Sequence, residues 1–215
     1  MNRPTLFGVM FSGFLLCTAA FAQEATGTLD VRASGIHANK PMSARYAHCM
    51  PDGRGATKDS QNISPAISWT AGPAGTKSYA MMVVDKDAPG DMSLINQSDK
   101  TIAADAARQD FYQWVVVDIP FTTNHLPQNA KDKIGVAGQN NNSTQSGYDG
   151  PCPPWNDARA HHYHFEVFAL DVATLNMKAP FSGQQASEAM RPHILAKGEV
   201  VGTYTTNPTN PTPTE

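Results

Sequence analysis

GYDGPCPPWNDARAHHYHFEVFAL, residues 147–170, passes from a turn-rich loop into a strand. Gly147, Gly150 and the Cys152-Pro153-Pro154 core stiffen and turn the first half. From His162 to Leu170 the residues alternate. His161, Tyr163, Phe165 and Val167 fall on one side, and His162, His164, Glu166 and Phe168 on the other. The first side is apolar after its opening histidine, so it should face a core. His161 then stands where that core face meets the proline-stiffened loop. A polar group at a strand end beside a rigid loop is the setting in which small-molecule pockets form.

Working outward, Ser78–Asp85 (SYAMMVVD) is a nearly unbroken apolar run and reads as a strand buried on both faces. It empties into two carboxylates, Asp85 and Asp87, and a stop at Pro89. An ordinary Asx-turn loop would look the same, so these acids do not mark a site by themselves. Phe111–Pro120 is a further strand, and Glu199–Thr206 is the last one. Near the start, Leu29-Asp30-Val31 is the best short strand. In Asn62–Trp69, Ser64-Pro65 forces an extended entry that puts Ile67 and Trp69 on one face. Tyr46–Asn62 and Thr122–Ser146 read as loops, and Gly90–Asp110 as a long polar insertion with a short helix at Ile102–Arg108. That insertion is either a lid over a pocket or an exposed excursion.

One helix is expected, Ser182–Lys197, capped by Ser182 and kinked at Pro192. Its apolar face would be Ala186, Ala189, Met190, His193 and Ile194. Strands outnumber helices and Gly/Pro turns space them. The fold class is therefore mainly β: a two-sheet, mostly antiparallel β-fold with a C-terminal helix.

The chain has 215 residues and a formal net charge of −3, without a Lys/Arg cluster. That argues against a nucleic-acid partner. Residues 1–22 carry Arg3, an apolar run over Leu6–Phe21, and the small-x-small triplet Ala20-Phe21-Ala22. They read as a signal peptide cut before Gln23, leaving a periplasmic or secreted protein. The mature chain keeps Cys49 and Cys152, and an oxidising compartment favours a bridge between them over two free thiols. Residues 207–215, rich in Thr and Pro, read as a disordered tail.

Two motifs in this order carry a resemblance. Asp85-Lys86-Asp87-Ala88-Pro89 resembles the Asp-x-Asp-x-Pro signature of the phosphatidylethanolamine-binding proteins. Gly147–Leu170 resembles their second signature, in particular that of the bacterial Raf-kinase-inhibitor-like branch. Asn62–Trp69 resembles the family's Asn-x-Ser-Pro-x-x-x-Trp segment. The likeness covers roughly Ser60–Tyr204, within a single domain over residues 23–206. It implies the same β-fold and a pocket for small anions or phosphorylated head groups. The residues carried over are Asp85, Asp87, Pro89, Tyr148, Gly150, Pro153, Pro154, His161 and Tyr163.

In that reading His161, Tyr148 and Tyr163 donate to the anion, N–H groups near Gly150 add to them, and Asp85 or Asp87 orients His161. The chain departs from the family at Gln113, where a histidine is usual before the tryptophan, and at Lys86, where proline is common. Glutamine donates but carries no charge, so weaker anion affinity is expected. Some family members inhibit kinases or proteases, so a protein partner is a second possibility. Any membrane contact would be through lipid head groups. No cofactor is implied. Alternation separates His161 from His162 and His164, which argues against a metal centre built from the three. An acid–base pair from Asp85 or Asp87 with His161 lacks a nucleophile, so a non-catalytic protein is expected.

Overall fold

The computed structural model describes residues 27–130, 134–140 and 146–209. Residues 1–22, the expected signal peptide, lie outside the described residues. In chain order the strands are β1 Gly27–Thr28, β2 Val31–Ala33, β3 Lys40–Pro41, β4 Cys49–Pro51, β5 Thr57–Asp59, β6 Ile67–Trp69, β7 Ser78–Pro89, β8 Arg108–Pro120, β9 His125–Leu126, β10 Val136–Ala137, β11 His161–Leu170 and β12 Ile194–Tyr204. The α-helix α1, Gly183–Met190, precedes β12.

The main sheet runs β1-β12-β11-β7-β8-β10, with β3 also on β12. A second sheet runs β2-β6-β9, and β4 and β5 form a separate ladder. The pairings of β7, β8, β10, β11 and β12 with one another are antiparallel, whereas β1 and β3 join β12 in parallel. The mainly β, two-sheet expectation holds, with the β4–β5 ladder added.

The alternation read in the sequence sorts the two cores. Met81, Val83, Trp114, Val116, Tyr163, Phe165 and Val167 face the small sheet and meet Val31, Ile67 and Trp69. Ala80, Met82, Val84, Val115, Val117, Phe168 and Leu170 face the other way, against Phe181, Ala186 and Met190. Strand β7 thus has an apolar partner on each face, which is why its sequence shows no polar alternation. Burying each large side chain stabilises the fold by roughly 1.5–3 kcal/mol.

Several boundaries correct the sequence reading. The helix ends at Met190, not Lys197. Pro192 sits in a 3-10 turn, Arg191–His193, and the chain then becomes β12. Proline removes a donor and clashes with the preceding turn. The residues beyond it instead pair with β11, Ile194 opposite Leu170 and Lys197 opposite Phe168. The cap is as expected: Ser182 accepts from Gln185 N and forms a capping box. Ile102–Arg108 is not a helix. Ile102 bridges to Asp157, and Arg108 already begins β8 opposite Pro89.

Strand β7 also continues through Asp85 and Asp87 to Pro89, with an irregularity between Asp85 and Ala88. The acids therefore lie inside a strand rather than in a following loop. The expected loops 46–62 and 122–146 contain β4, β5, β9 and β10. Order runs past the expected tail boundary: Asn207 is only 7% exposed, and its amide donates to Asp157 O at 2.7 Å. Residues 210–215 lie outside the described residues.

Candidate functional site

The site is built where β7, β8 and β11 deliver polar residues under the loop 150–157. Antiparallel pairing puts Tyr163 opposite Asp85, and it carries His161 to the end of the β7 ladder. The Cys49–Cys152 disulfide ties that loop to β4. His48 N donates to Pro151 O, and Thr206 Oγ1 donates to Pro153 O, so the loop is held from two sides. Gly150 is required by contact. A Cβ there would lie 2.0 Å from Tyr46 O.

A cavity of about 90 Å³ opens between these elements. It gathers Asp85, Pro89, Gln113, Gly150, Pro153, Pro154 and His161, with Met92, Ile95 and Asn96 from the insertion. The insertion is therefore a wall of the cavity. Asn156 fixes it by donating to Leu94 O at 2.9 Å and Lys100 O at 3.1 Å, while its own oxygen accepts from Asn96 N at 2.8 Å. Asp87, Tyr148 and Tyr163 do not line the cavity.

His161 is fully buried and lies between two carboxylates. Its Nδ1 is 2.7 Å from Asp85 Oδ2, and its Nε2 is 3.1 Å from Asp157 Oδ2. Both contacts are satisfied together only when both nitrogens carry protons. Burial by itself lowers the pKa, but the hydrogen bonds to Asp157 and Asp85 more than reverse this and raise it to about 9. Burial likewise opposes ionisation of Asp157, but the hydrogen bonds from His161 and Arg108 hold its pKa down at about 2. Arg108 grips Asp157 with both terminal nitrogens, at 2.5 and 3.1 Å, and also donates to Asp87 O at 2.8 Å.

Of the two acids proposed to orient His161, Asp85 does so and Asp87 does not. Asp87 accepts from Arg159 Nη1 at 2.7 Å and lies 2.7 Å from His162 Nδ1. Burial raises its pKa and these partners bring it below the ordinary carboxylate value.

Of the donors expected for an anion, all but the Tyr163 hydroxyl are engaged within the protein. Both His161 nitrogens face carboxylates. The Tyr148 hydroxyl donates to Tyr46 O at 2.7 Å, with its ring edge-on to Trp114. Gly150 N donates to Asn62 Oδ1 at 2.7 Å, and Asp149 N to Gln113 O at 3.0 Å. The Tyr163 hydroxyl is buried without a hydrogen bond of ordinary geometry. Burial and then the charge of Asp85 push its pKa well up. Gln113, 5% exposed, lines the cavity, and its Oε1 is also without a partner.

Asp157, Arg108, Arg159 and Asn156 were not singled out from the sequence. Asp157 and Arg159 stand in the decisive stretch itself, and Asp157 is only four positions from His161, but their partners Arg108 and Asp87 lie 49 and 72 positions away. Lys86, the second departure, turns away from Asp85 and Asp87. It donates to Glu166 at 2.6 Å on the other face. There His164 lies 2.9 Å from Glu199, and Lys86 supplies the cation for these acids. Wider hollows of about 480 and 560 Å³ also lie on that side, lined by Lys86, Glu166 and Glu199 and by Tyr112, Glu188 and Arg191. They are larger than the cavity but have no buried, unpaired polar atom among their lining residues.

A two-sheet β scaffold with a proline-walled cavity over a buried imidazolium–carboxylate pair defines a small-pocket β protein. The family described as "Phosphatidylethanolamine-binding protein" matches residues 36–205, and the chain belongs to that family. A UPF0098 protein of Aquifex aeolicus is 34% identical over 154 residues, spanning 69% of this chain and 77% of that protein. The UPF0098 protein YbcL of Escherichia coli is 30% identical over 149 residues, spanning 66% and 72%. The crystal structure of E. coli YbcL, described as a new member of the mammalian PEBP family, superposes with a TM-score of 0.66 at 27% identity. It covers 83% of this chain and 99% of that one. The PEBP homologue CT736 of Chlamydia trachomatis superposes with a TM-score of 0.62 at 26% identity, over 83% and 98%.

Proposed function

We propose that this protein is exported and binds a small anionic or phosphorylated head group in the cavity, without turning it over. The carrying observation is the His161 imidazolium held between Asp85 and Asp157. Its charge is matched by the flanking carboxylates, which fix the cavity wall and leave no ring nitrogen open to act as a general base. The cavity lining contains no serine, threonine or lysine, and its one cysteine is in the disulfide. A volume of about 90 Å³ suits a head group.

Export is supported by the signal-like residues 1–22 and by a disulfide of the kind that persists in oxidising compartments. Among the described residues no helix is long and apolar enough to cross a membrane.

The test is a thermal melt with inorganic phosphate and a phosphomonoester, alongside phosphatase, esterase and peptidase assays. Melting should rise with ligand concentration, because a ligand bound only by the folded state stabilises it by mass action. Assays should stay at background. N-terminal sequencing of protein from the cell envelope should begin at Gln23. Turnover that disappears in Asp87→Asn, or an intact Met1 on cytoplasmic protein, would overturn the reading.

A further inference from the structure

The face of the main sheet that turns away from the cavity carries a donor set of its own. His164 and Glu166 are two residues apart on β11 and share that face. Glu199 of β12 stands directly opposite Glu166 in the antiparallel ladder. Like charges directly opposite one another destabilise a ladder, so this pair of glutamates calls for a cation. His164 joins them, with Nδ1 2.9 Å from Glu199 Oε2. An imidazole nitrogen and two carboxylate oxygens, one from each residue, all lie within 4.8 Å of one another.

The surroundings leave this set short of positive charge and open to an ion. Lys86 donates to Glu166 at 2.6 Å, yet its ammonium answers to three acids, Glu166, Glu199 and Asp110. Lys197, two residues before Glu199, lines the same hollow. Counted together, three acids face two lysines. The side chains of His164 and Glu166 are each 17% exposed, so they are held in place but not sealed off. The hollow of about 480 Å³ reaches Glu166 and Glu199 and gives an ion and its waters a way in.

We propose that His164, Glu166 and Glu199 bind a divalent transition-metal ion, zinc being the best match to one imidazole and two carboxylates. Zinc takes nitrogen and oxygen donors at about 2.0–2.2 Å, which sets neighbouring donors roughly 3 Å apart. His164 Nδ1 and Glu199 Oε2 already stand at that separation. The ion takes the place of the proton between them, and the ring keeps its other proton on Nε2. Lys86, on a flexible stem and 39% exposed, leaves Glu166 for solvent. A fourth position stays open to water from the hollow. The imidazole separates this set from a plain acidic patch, because magnesium and calcium favour shells made of oxygen alone. The site is on the opposite face of the sheet from the Asp85–His161 cavity and does not rest on the head-group reading.

The experiment is isothermal titration of zinc and, separately, of magnesium into chelator-stripped protein near neutral pH. Wild type is compared with His164→Ala, Glu199→Gln, Lys86→Met and His193→Ala, each checked for an intact thermal transition. Wild type should bind one zinc ion at least tenfold more tightly than magnesium. His164→Ala and Glu199→Gln should each weaken zinc at least tenfold. Lys86→Met removes the competing ammonium and should tighten zinc at least threefold. His193 also pairs with a carboxylate, Asp171 at 2.8 Å, but outside this set, so His193→Ala should leave zinc affinity unchanged. Zinc bound no more tightly than magnesium by wild type would mark a diffuse acidic surface and overturn the inference. Equal zinc affinity in wild type and His164→Ala, or an equal loss in His193→Ala, would put the binding elsewhere and overturn it too.

Discussion

Asp157 Oδ2 stands 3.1 Å from Nε2 of His161, the nitrogen opposite the one that Asp85 holds at 2.7 Å. An imidazole with a carboxylate at each end is a structural cation. Arg108 completes the arrangement from the far side of Asp157, so the charge is distributed over a chain of four residues, Asp85, His161, Asp157 and Arg108. Such a chain orders the cavity wall, and it explains why His161 lies fully buried yet charged.

Stability should depend on pH on the alkaline side. Folded His161 holds its proton to about pH 9, against 6.5 for an ordinary histidine. The contribution is complete below pH 6.5 and is lost as pH rises through about 9. The difference corresponds to roughly 3 kcal/mol. Urea unfolding between pH 6 and 9.5 measures it, and a flat profile would contradict the buried imidazolium.

Asp157→Asn should lower stability by roughly 3–5 kcal/mol, because it leaves Arg108 and His161 buried with one carboxylate fewer. It should also bring the His161 pKa down. Urea unfolding gives the first quantity and an NMR titration of the His161 ring gives the second. A destabilised variant with an unmoved ring pKa would show that Asp157 acts only through Arg108.

Loss of the Cys49–Cys152 bridge should cost about 2–5 kcal/mol. The sequence separation of 103 residues makes the closed loop long. His48 N and Cys49 N still reach Pro151 O, so Cys49→Ser should fold with the loop in place. Alkylation under denaturing, non-reducing conditions should find no free thiol at these two positions in wild type.

Gly150→Ala should disturb the cavity loop. The added methyl would meet Tyr46 O at 2.0 Å and Asn62 Oδ1 at 3.0 Å, and backbone cannot give way cheaply there. Overpacking of this kind costs roughly 1–3 kcal/mol. Phosphate affinity should fall with the melting temperature. An unchanged melting temperature would show that residues 147–154 adapt freely.

What the sequence determined by itself was whatever depends on local periodicity and chain chemistry. The alternation of His161–Val167 and the unbroken run Ser78–Asp85 identified two neighbouring strands of the main sheet, because facing and burial leave a two-residue signature. The two motifs placed the cavity, and two cysteines in a chain read as exported implied their bridge.

The end of the helix was ambiguous, since Ile194 fits a helical face as well as a strand. Ladder pairing with Leu170, distant in sequence, decided it. The same holds at the site. Histidine, tyrosine and glycine N–H groups are donors in any sequence. Only the folded chain brings Asp85 to His161, Tyr46 O to Tyr148 and Asn62 to Gly150, and so engages them. Which polar atoms stay unpaired is likewise a property of the folded chain, and among the described residues they include Gln113 Oε1, Asn140 Oδ1 and the indole nitrogens of Trp69 and Trp114.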